Sequence, residues 1–165
     1  FGLSDKPDVR YGLRISADGI EAAAAHLGLT EVDLVTHDMG DSVGGELLAR
    51  SLEGTLGFTV RRRVITNGSI YLDLAHLTAG QDMLMSLPDA REELVASDGG
   101  VAFRGGFAGT FAPASVVDDL ELDCVVAVAR RDGGLALLPR TIRYLDDRRA
   151  EEARFIPACA GIGGL

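Results

Sequence analysis

One short stretch of the sequence combines residue types that could do covalent chemistry. Residues 32–36, Val-Asp-Leu-Val-Thr, form a β-prone run, and His37-Asp38-Met39-Gly40 follows it directly. A helical pattern then begins at about Asp41. A strand that turns sharply through one reactive side chain and enters a glycine-bearing helix is typical of a nucleophile elbow. This spacing places the Asp38 carboxylate at a helix N-terminus, where the helix dipole favours a negatively charged nucleophile.

The same stretch contains a second register. Residues 40–44 read Gly-Asp-Ser-Val-Gly, a literal G-x-S-x-G, which would make Ser42 the nucleophile of an esterase. That register needs a strand that continues to Met39, although the apolar run ends at Thr36. The end of the run favours Asp38 at the apex of the turn, with the Met39 backbone N–H as one half of an oxyanion hole. A third interpretation is an aspartate that only caps the helix.

The elements that must position this stretch alternate between helix and strand. Apolar periodicity and turn residues predict, in order, a helix at about 16–27 capped by Ser16, a strand at 32–36, a helix at about 41–52 and a strand at 62–66. This alternation of helices and strands predicts a parallel sheet of the α/β class. Gly44 and Gly45 would let the second helix approach that sheet closely. The run Arg61-Arg62-Arg63 is interpreted as a solvated approach to the second strand.

The chain changes in character after about Ile70. From there to Arg149 the periodic segments are helical, including a helix at about 116–129 that follows a Ser115 cap. The sequence therefore predicts a piece of parallel sheet followed by a mostly helical region.

Composition excludes several classes of protein. The chain has 165 residues, of which 47% are hydrophobic, enough for one sizeable core. A net charge of −9 argues against a nucleic-acid partner, because phosphate-backbone binding needs clustered positive charge. No apolar run reaches the roughly 18–20 residues of a membrane span, so no membrane partner is expected. Cys124 and Cys159 form neither a disulfide framework nor a zinc motif, so a cytoplasmic location and no metal or cofactor are expected.

Three segments together carry a resemblance to a known family. Phe1-Gly2-Leu3-Ser4-Asp5-Lys6-Pro7 resembles a loop of the α/β-hydrolase superfamily that usually reads G-F-G-x-S-D-K-P. His37-Asp38-Met39-Gly40 resembles the His-Asp-x-Gly elbow of its haloalkane dehalogenase and epoxide hydrolase branch. Leu138-Pro139-Arg140 and the segment 144–149 resemble the end of the helical cap in relatives of that branch. The segments follow the family's order along the chain.

The resemblance implies an α/β fold, with a partial, mostly parallel α/β-hydrolase sheet and an inserted helical cap. Residues 1–69 are expected to form part of the core with the nucleophile elbow, and residues 70–150 the cap. Residues 151–165 are expected to be a truncated return to the core. On this basis the C-terminal core strands are missing, and the chain is expected to be a fragment of a longer hydrolase.

The resemblance also implies a mechanism for the parent protein. Asp38 would attack a carbon of a small apolar substrate, of the alkyl halide or epoxide type, and form a covalent aspartyl ester. Met39 would supply a backbone oxyanion donor, and His37 and Tyr144 are the candidate substrate-binding residues. The branch often carries Trp after the nucleophile to bind halide, whereas this chain has Met39 and no Trp. That departure weakens the case for halide chemistry in particular.

The residues that would complete the mechanism are not apparent in the sequence. None of the three histidines, His26, His37 and His76, is expected to serve as general base, and the catalytic acid is expected to lie outside the chain as well. The 165-residue chain itself is therefore expected to be inactive, with a small-molecule substrate as the partner of the parent enzyme and its oligomeric state open. Two alternatives remain: a serine esterase or lipase-like hydrolase that uses Ser42, and a non-catalytic α/β-hydrolase-like binding protein.

Overall fold

A computed structural model describes residues 2–68 and 70–161, and these residues divide into two compact units. One unit contains the described residues up to Arg10 together with Leu77–Ile142. The other unit contains Tyr11–His76 together with the described residues from Arg143 onward. Phe1 of the predicted first loop, residue 69 at the predicted core boundary and residues 162–165 of the predicted return segment lie outside the described residues.

The fold class is mixed α/β, as predicted from the sequence. The elements follow the chain in this order: α1 (Leu13–His26), β1 (Glu31–His37), α2 (Met39–Leu52), β2 (Thr59–Thr66), a short 3-10 helix (Leu72–Leu74), α3 (Ala79–Ser86), α4 (Glu93–Ala96), α5 (Val101–Ala108), α6 (Asp119–Arg130), a second 3-10 segment (Arg131–Leu137), α7 (Leu138–Thr141), α8 (Tyr144–Ala150) and α9 (Glu152–Gly161). Within the described part of the helical region after Ile70, no strand interrupts this series.

The two strands form a parallel pair, which confirms the predicted arrangement. Glu31 of β1 lies opposite Thr59 of β2, and His37 lies opposite Thr66 at the other end of the ladder. Because parallel strands end at the same edge of a sheet, the residues that follow His37 and Thr66 come out side by side. One face of the pair, which carries Val35 and Val64, is exposed.

Helix α2 lies at the centre of its unit, and residues 41–49 of the helix are buried. An added Cβ at Gly44 would lie only 3.0 Å from Thr36 Cγ2 of β1, so the glycine permits the close approach predicted from the sequence. At Gly45 an added Cβ would meet the Phe155 ring at 3.4 Å instead. The second glycine therefore faces α9 and not the sheet.

A buried carboxylate fastens α2 to α9. The Glu46 side chain is 1% exposed; its Oε1 accepts a hydrogen bond of 2.8 Å from Arg50 Nε, and its Oε2 accepts one from Arg154. Arg154 also donates to Glu53 at 2.8 Å. Burial would raise the pKa of Glu46, but the hydrogen bonds from Arg154 and Arg50 outweigh it and hold the pKa below the usual value.

Two of the helix starts differ from the predictions. Helix α1 begins after Gly12, because Leu13 and Ala17 extend its buried stripe, and Ser16 lies inside the helix with its Oγ donating to the Gly12 carbonyl oxygen at 3.3 Å. Helix α6 begins after Asp118, whose carboxylate accepts a hydrogen bond of 2.7 Å from the Leu120 N–H. The predicted Ser16 and Ser115 caps are therefore wrong.

Candidate active site

The turn between β1 and α2 holds its apex residue in a conformation that side-chain-bearing residues rarely adopt. Asp38 has φ of 52° and ψ of −124°, and it lies between the last residue of β1 and the first residue of α2. Such a backbone conformation costs about 1–3 kcal/mol and occurs mostly where function requires it. Asp38 is also exposed, so its carboxylate is open to solvent at the end of the strand.

Hydrogen bonds fix the turn on both sides of its apex. The Asp38 N–H continues the strand ladder and donates to the Thr66 carbonyl oxygen at 3.2 Å. The Asp41 N–H donates to the Asp38 carbonyl oxygen at 2.9 Å and closes the first turn of α2. The Asp38 carboxylate itself makes no capping hydrogen bond to α2. An aspartate that served only as a helix cap would accept that hydrogen bond from α2, so the geometry does not fit the capping interpretation.

The start of α2 presents backbone donors next to this carboxylate. Met39 is the first residue of the helix and Gly40 the second. The first N–H groups of an α-helix have no acceptor within the helix, and they carry the positive end of its dipole. The Met39 N–H is one of these donors, and its role as an oxyanion donor stays a prediction.

A buried polar cluster supports the turn from below. The Thr36 hydroxyl donates to Asp41 Oδ1, and the Arg63 Nη2 donates to the Asp41 carbonyl oxygen at 2.7 Å. The side chains of Asp41 and Arg63 are 0% and 4% exposed, and their charged atoms lie 3.8 Å apart. An added Cβ at Gly68 would collide with the Asp41 carboxylate. This cluster ties β1, β2 and α2 together immediately behind Asp38.

Sequence reasoning did not find the cluster. The interpretation of the run Arg61-Arg62-Arg63 as solvated is correct for Arg61. The Arg61 side chain is exposed and donates to Asp33 at 2.9 Å. The interpretation is wrong for the side chain of Arg63, which points into the core. Simple alternation along a strand would place residues 61 and 63 on the same face. The pairing of the two strands is irregular between Val32 and Asp33, where Arg61 is left out of the register, so alternation could not have revealed the buried Arg63.

The competing nucleophile lies in a different environment. Ser42 is in the first turn of α2, as the sequence predicts, and is 2% exposed. A substrate carbon could not reach a buried hydroxyl without displacing the packing around α2. The two registers of the stretch are therefore separated by exposure, with Asp38 open and Ser42 closed.

A pocket lies at the end of β2, beside the elbow that follows β1. Its volume is about 410 Å³, and it is lined by Asn67, Gly68, Ile70, Tyr71, Leu74 and Ala75. Because the Asp38 N–H is bonded to Thr66, the residue before this lining, the pocket opens at the same sheet edge as the elbow. The lining combines apolar side chains with the Asn67 amide and backbone groups, so it offers both polar and apolar contacts to a small molecule. The sequence indicated only a turn at Asn67-Gly68.

The structure places the two candidate substrate-binding residues differently. Tyr144 begins α8 and is buried; burial raises its pKa to about 12, with the negative charge of Asp38 as a further cause. Tyr144 therefore lies within electrostatic range of Asp38. His37 is the exposed last residue of β1, directly before Asp38. His26, at the end of α1, and His76, before α3, are also exposed.

Neither a metal site nor a membrane-spanning helix is found in the described part of the chain. Across residues 2–68 and 70–161, no group of three His, Cys, Asp or Glu side chains is arranged to hold a metal ion. None of the helices in these ranges combines the length and the apolar character that crossing a bilayer requires. The cytoplasmic location stays a prediction.

Comparison with known proteins gives a small set of relatives. The protein named "Putative hydrolase LipZ" in two strains of Mycobacterium tuberculosis is 39% identical over 149 residues, which are 90% of this chain and 51% of that protein. The mesoderm-specific transcript protein of Mus musculus is 28% identical over 166 residues, covering 98% of this chain and 50% of that protein. No protein-family model matches the chain, and no solved structure matches it significantly.

The names of these relatives include a hydrolase, and they do not distinguish one branch of hydrolases from another. The chain spans about half the length of the curated relatives it matches.

Proposed function

We propose that this chain carries the nucleophile of a hydrolase that acts on a small apolar substrate, of the alkyl halide or epoxide type, through a covalent aspartyl ester. The observation that carries the proposal is the conformation of Asp38, which is strained, exposed and free of a capping hydrogen bond. A carboxylate held in this way at a strand–helix turn is available for attack on carbon. The hydrolase relatives support the reaction class.

The first step is displacement at a carbon of the substrate. An Asp38 carboxylate oxygen forms a bond to that carbon, and the carbon–halogen or epoxide carbon–oxygen bond breaks with its electron pair. A departing epoxide oxygen needs a hydrogen-bond donor, and Tyr144 is the candidate because its phenol is protonated at neutral pH and its pKa responds to the charge of Asp38. Tyr144 is buried, so this role requires that the bound substrate reach its phenol. The pocket after β2 would hold the rest of the substrate.

The second step releases the product. Water attacks the carbonyl carbon of the aspartyl ester, and the oxyanion that forms is stabilised by the Met39 N–H at the start of α2. Collapse of that intermediate restores the Asp38 carboxylate and frees an alcohol or diol. The water needs a general base, a function typically worth about 10²–10⁴-fold in rate. Within the described residues, no hydrogen bond to a carboxylate orients the exposed His26, His37 or His76 as that base, so we propose that another histidine of the parent enzyme supplies it.

The test compares two variants of the full-length parent protein. Asp38→Asn keeps the size of the side chain and removes its nucleophilic charge, so turnover of an epoxide or alkyl halide should fall below detection. Ser42→Ala is the matched control on the same turn, and it should retain most of the wild-type kcat. Steady-state product assays on both variants, with circular dichroism to confirm folding, give the comparison.

The other outcomes identify the alternatives. Loss of activity only in Ser42→Ala, with hydrolysis of a carboxylic ester by the wild type, would assign the reaction to a serine esterase. Binding of small apolar ligands without turnover in the wild type would assign the protein to the non-catalytic class. Either result overturns the aspartyl-ester proposal.

A further inference from the structure

A cysteine at the end of the described chain lies against a buried guanidinium. Cys159 is on α9 and is half-buried. The Nη1 of Arg63 donates a hydrogen bond to Cys159 Sγ at 3.4 Å, and the Arg63 side chain is 4% exposed. Charged donors make stronger hydrogen bonds than neutral ones, and they stabilise negative charge on the acceptor.

A second buried guanidinium lies on the neighbouring helix. Arg148 of α8 is 1% exposed; one of its nitrogens donates to the Ile70 carbonyl oxygen, and its guanidinium lies 5.1 Å from the centroid of the Phe155 ring. Burial lowers the pKa of Arg148, which shows how little solvent reaches this part of the cluster.

Among the residues that the structure describes, the fully buried charges of the cluster are two guanidinium groups and one carboxylate. Arg63 lies 3.8 Å from the carboxylate of Asp41 on α2, and the charge of the half-buried Glu152 on α9 acts to raise the pKa of Arg148. Within the described residues, Arg63 Nε and Arg148 Nη1 are buried and have no hydrogen-bond partner. Buried donors of this kind favour an anion beside them.

We propose that Cys159 is a reactive thiol that hydroperoxides oxidise to a sulfenic acid, with Arg63 stabilising the negative charge on sulfur and on the oxygen that it gains. Reactive cysteines lie in partly exposed, electropositive surroundings, and the thiolate is the attacking form. This inference does not depend on the hydrolase activity.

The reaction balances with hydrogen peroxide as the oxidant. The thiolate sulfur attacks one peroxide oxygen, the sulfur–oxygen bond forms and the oxygen–oxygen bond breaks. Hydroxide leaves with the electron pair and takes up the proton that the thiol released to solvent, so water is the second product. Sulfur is oxidised by two electrons to the sulfenic acid, and the peroxide is reduced.

The chain contains its own reference thiol. Cys124 lies on α6, is exposed, and accepts no hydrogen bond from any residue within the described ranges. Accessibility alone therefore predicts faster oxidation of Cys124, whereas the guanidinium cluster predicts faster oxidation of Cys159.

The experiment uses the 165-residue chain with one cysteine at a time. Cys124→Ser leaves Cys159, and Cys159→Ser leaves Cys124. Each variant is treated with dilute hydrogen peroxide at pH 7 in the presence of dimedone, which traps sulfenic acids, and labelling is followed by mass spectrometry. Cys159 should label about tenfold faster than Cys124, as expected for a hydrogen bond to a charged group. Equal labelling, or faster labelling of Cys124, overturns the proposal.

A second pair of variants tests the arginine itself. Arg63→Lys, in the Cys124→Ser background, removes the donor to sulfur and should slow the labelling of Cys159 severalfold. Arg61→Lys changes an exposed arginine of the same strand and should leave the rate unchanged. An undiminished labelling rate in folded Arg63→Lys protein would contradict the role of Arg63. If that variant does not fold, the comparison of Cys124→Ser with Cys159→Ser still tests whether Cys159 is the more reactive thiol.

Discussion

The carboxyl ends of β1 and β2 are a natural pair to compare. Each strand is followed by a residue with φ of 52°, Asp38 after β1 and Asn67 after β2. Asparagine adopts positive φ more readily than most residues, so turn formation alone explains Asn67. Asp38 combines its positive φ with ψ of −124°, outside the small left-handed region that asparagine and aspartate favour. Asn67 is therefore well suited to its turn, whereas Asp38 is held in a backbone conformation that aspartate rarely adopts.

The surroundings of the two strand ends also differ. Behind Asp38, α2 begins at once and is held by the buried cluster of Thr36, Asp41 and Arg63. After Asn67 the chain continues along the pocket lining. Strain persists only where neighbouring structure over-determines it, and this condition is met at Asp38. The difference supports the proposed role of Asp38 at the end of β1.

Breaking the anchorage of α2 should have the largest effect on stability. Glu46→Gln leaves Arg50 and Arg154 without their shared carboxylate, and we expect it to lower the free energy of unfolding by about 2–3 kcal/mol at pH 7. The loss is set below the value for a fully buried pair because both arginines retain some exposure. Urea denaturation followed by circular dichroism measures the change.

The same variant should alter the pH dependence. The pKa of Glu46 is lowered in the folded state, so the pair stabilises the protein above the ordinary glutamate pKa of 4.5 and loses this contribution as the pH falls through the lower, folded value. The stability difference between wild type and Glu46→Gln should therefore narrow below pH 4.5. A constant difference down to pH 3 would show that the ionised pair contributes nothing.

Relieving backbone strain at the two strand ends should raise the free energy of unfolding by unequal amounts. Asp38→Gly removes a side chain from an unfavourable conformation and should stabilise the chain by about 1–3 kcal/mol. Asn67→Gly should change stability by less than about 1 kcal/mol, because asparagine already tolerates its turn. Parallel urea titrations measure both, and equal gains would abolish the distinction between the two turns.

The smallest expected effect is a change in the ionisation of one tyrosine. Asp38→Asn removes the charge that contributes to the high pKa of Tyr144, so that pKa should fall from about 12 while burial, the larger cause, keeps it above 10. Ultraviolet absorbance of the phenolate follows the titration, and Tyr144→Phe assigns it. Asn67→Ala changes the neighbouring strand end without removing charge and should leave the titration unaltered.

Local patterns were enough to predict the elbow. The β-prone run at 32–36, the glycines of α2 and the Asn67-Gly68 turn each depend on neighbours in the chain, and the strands, α2 and the position of Asp38 follow from them. The burial of Arg63 depends on packing against α2 and α9, which no local window contains.

Distant contacts explain the other differences between expectation and structure. Gly45 faces α9 because a segment more than 100 residues further along the chain packs there. The effect of the Asp38 charge on the pKa of Tyr144 likewise joins distant parts of the sequence. The predicted division into core, cap and return segment stays a prediction beside the two compact units.

Covalent labelling of Asp38 tests the central claim most directly. The 165-residue chain is incubated with a small, reactive terminal epoxide, digested at low pH to preserve esters, and mapped by mass spectrometry. The account predicts an adduct of the epoxide on Asp38, retained because no positioned base releases it, with the buried Asp41 unlabelled and no adduct at position 38 in Asp38→Asn. An unmodified Asp38, an adduct on Ser42, or repeated turnover to the diol without an adduct would contradict it.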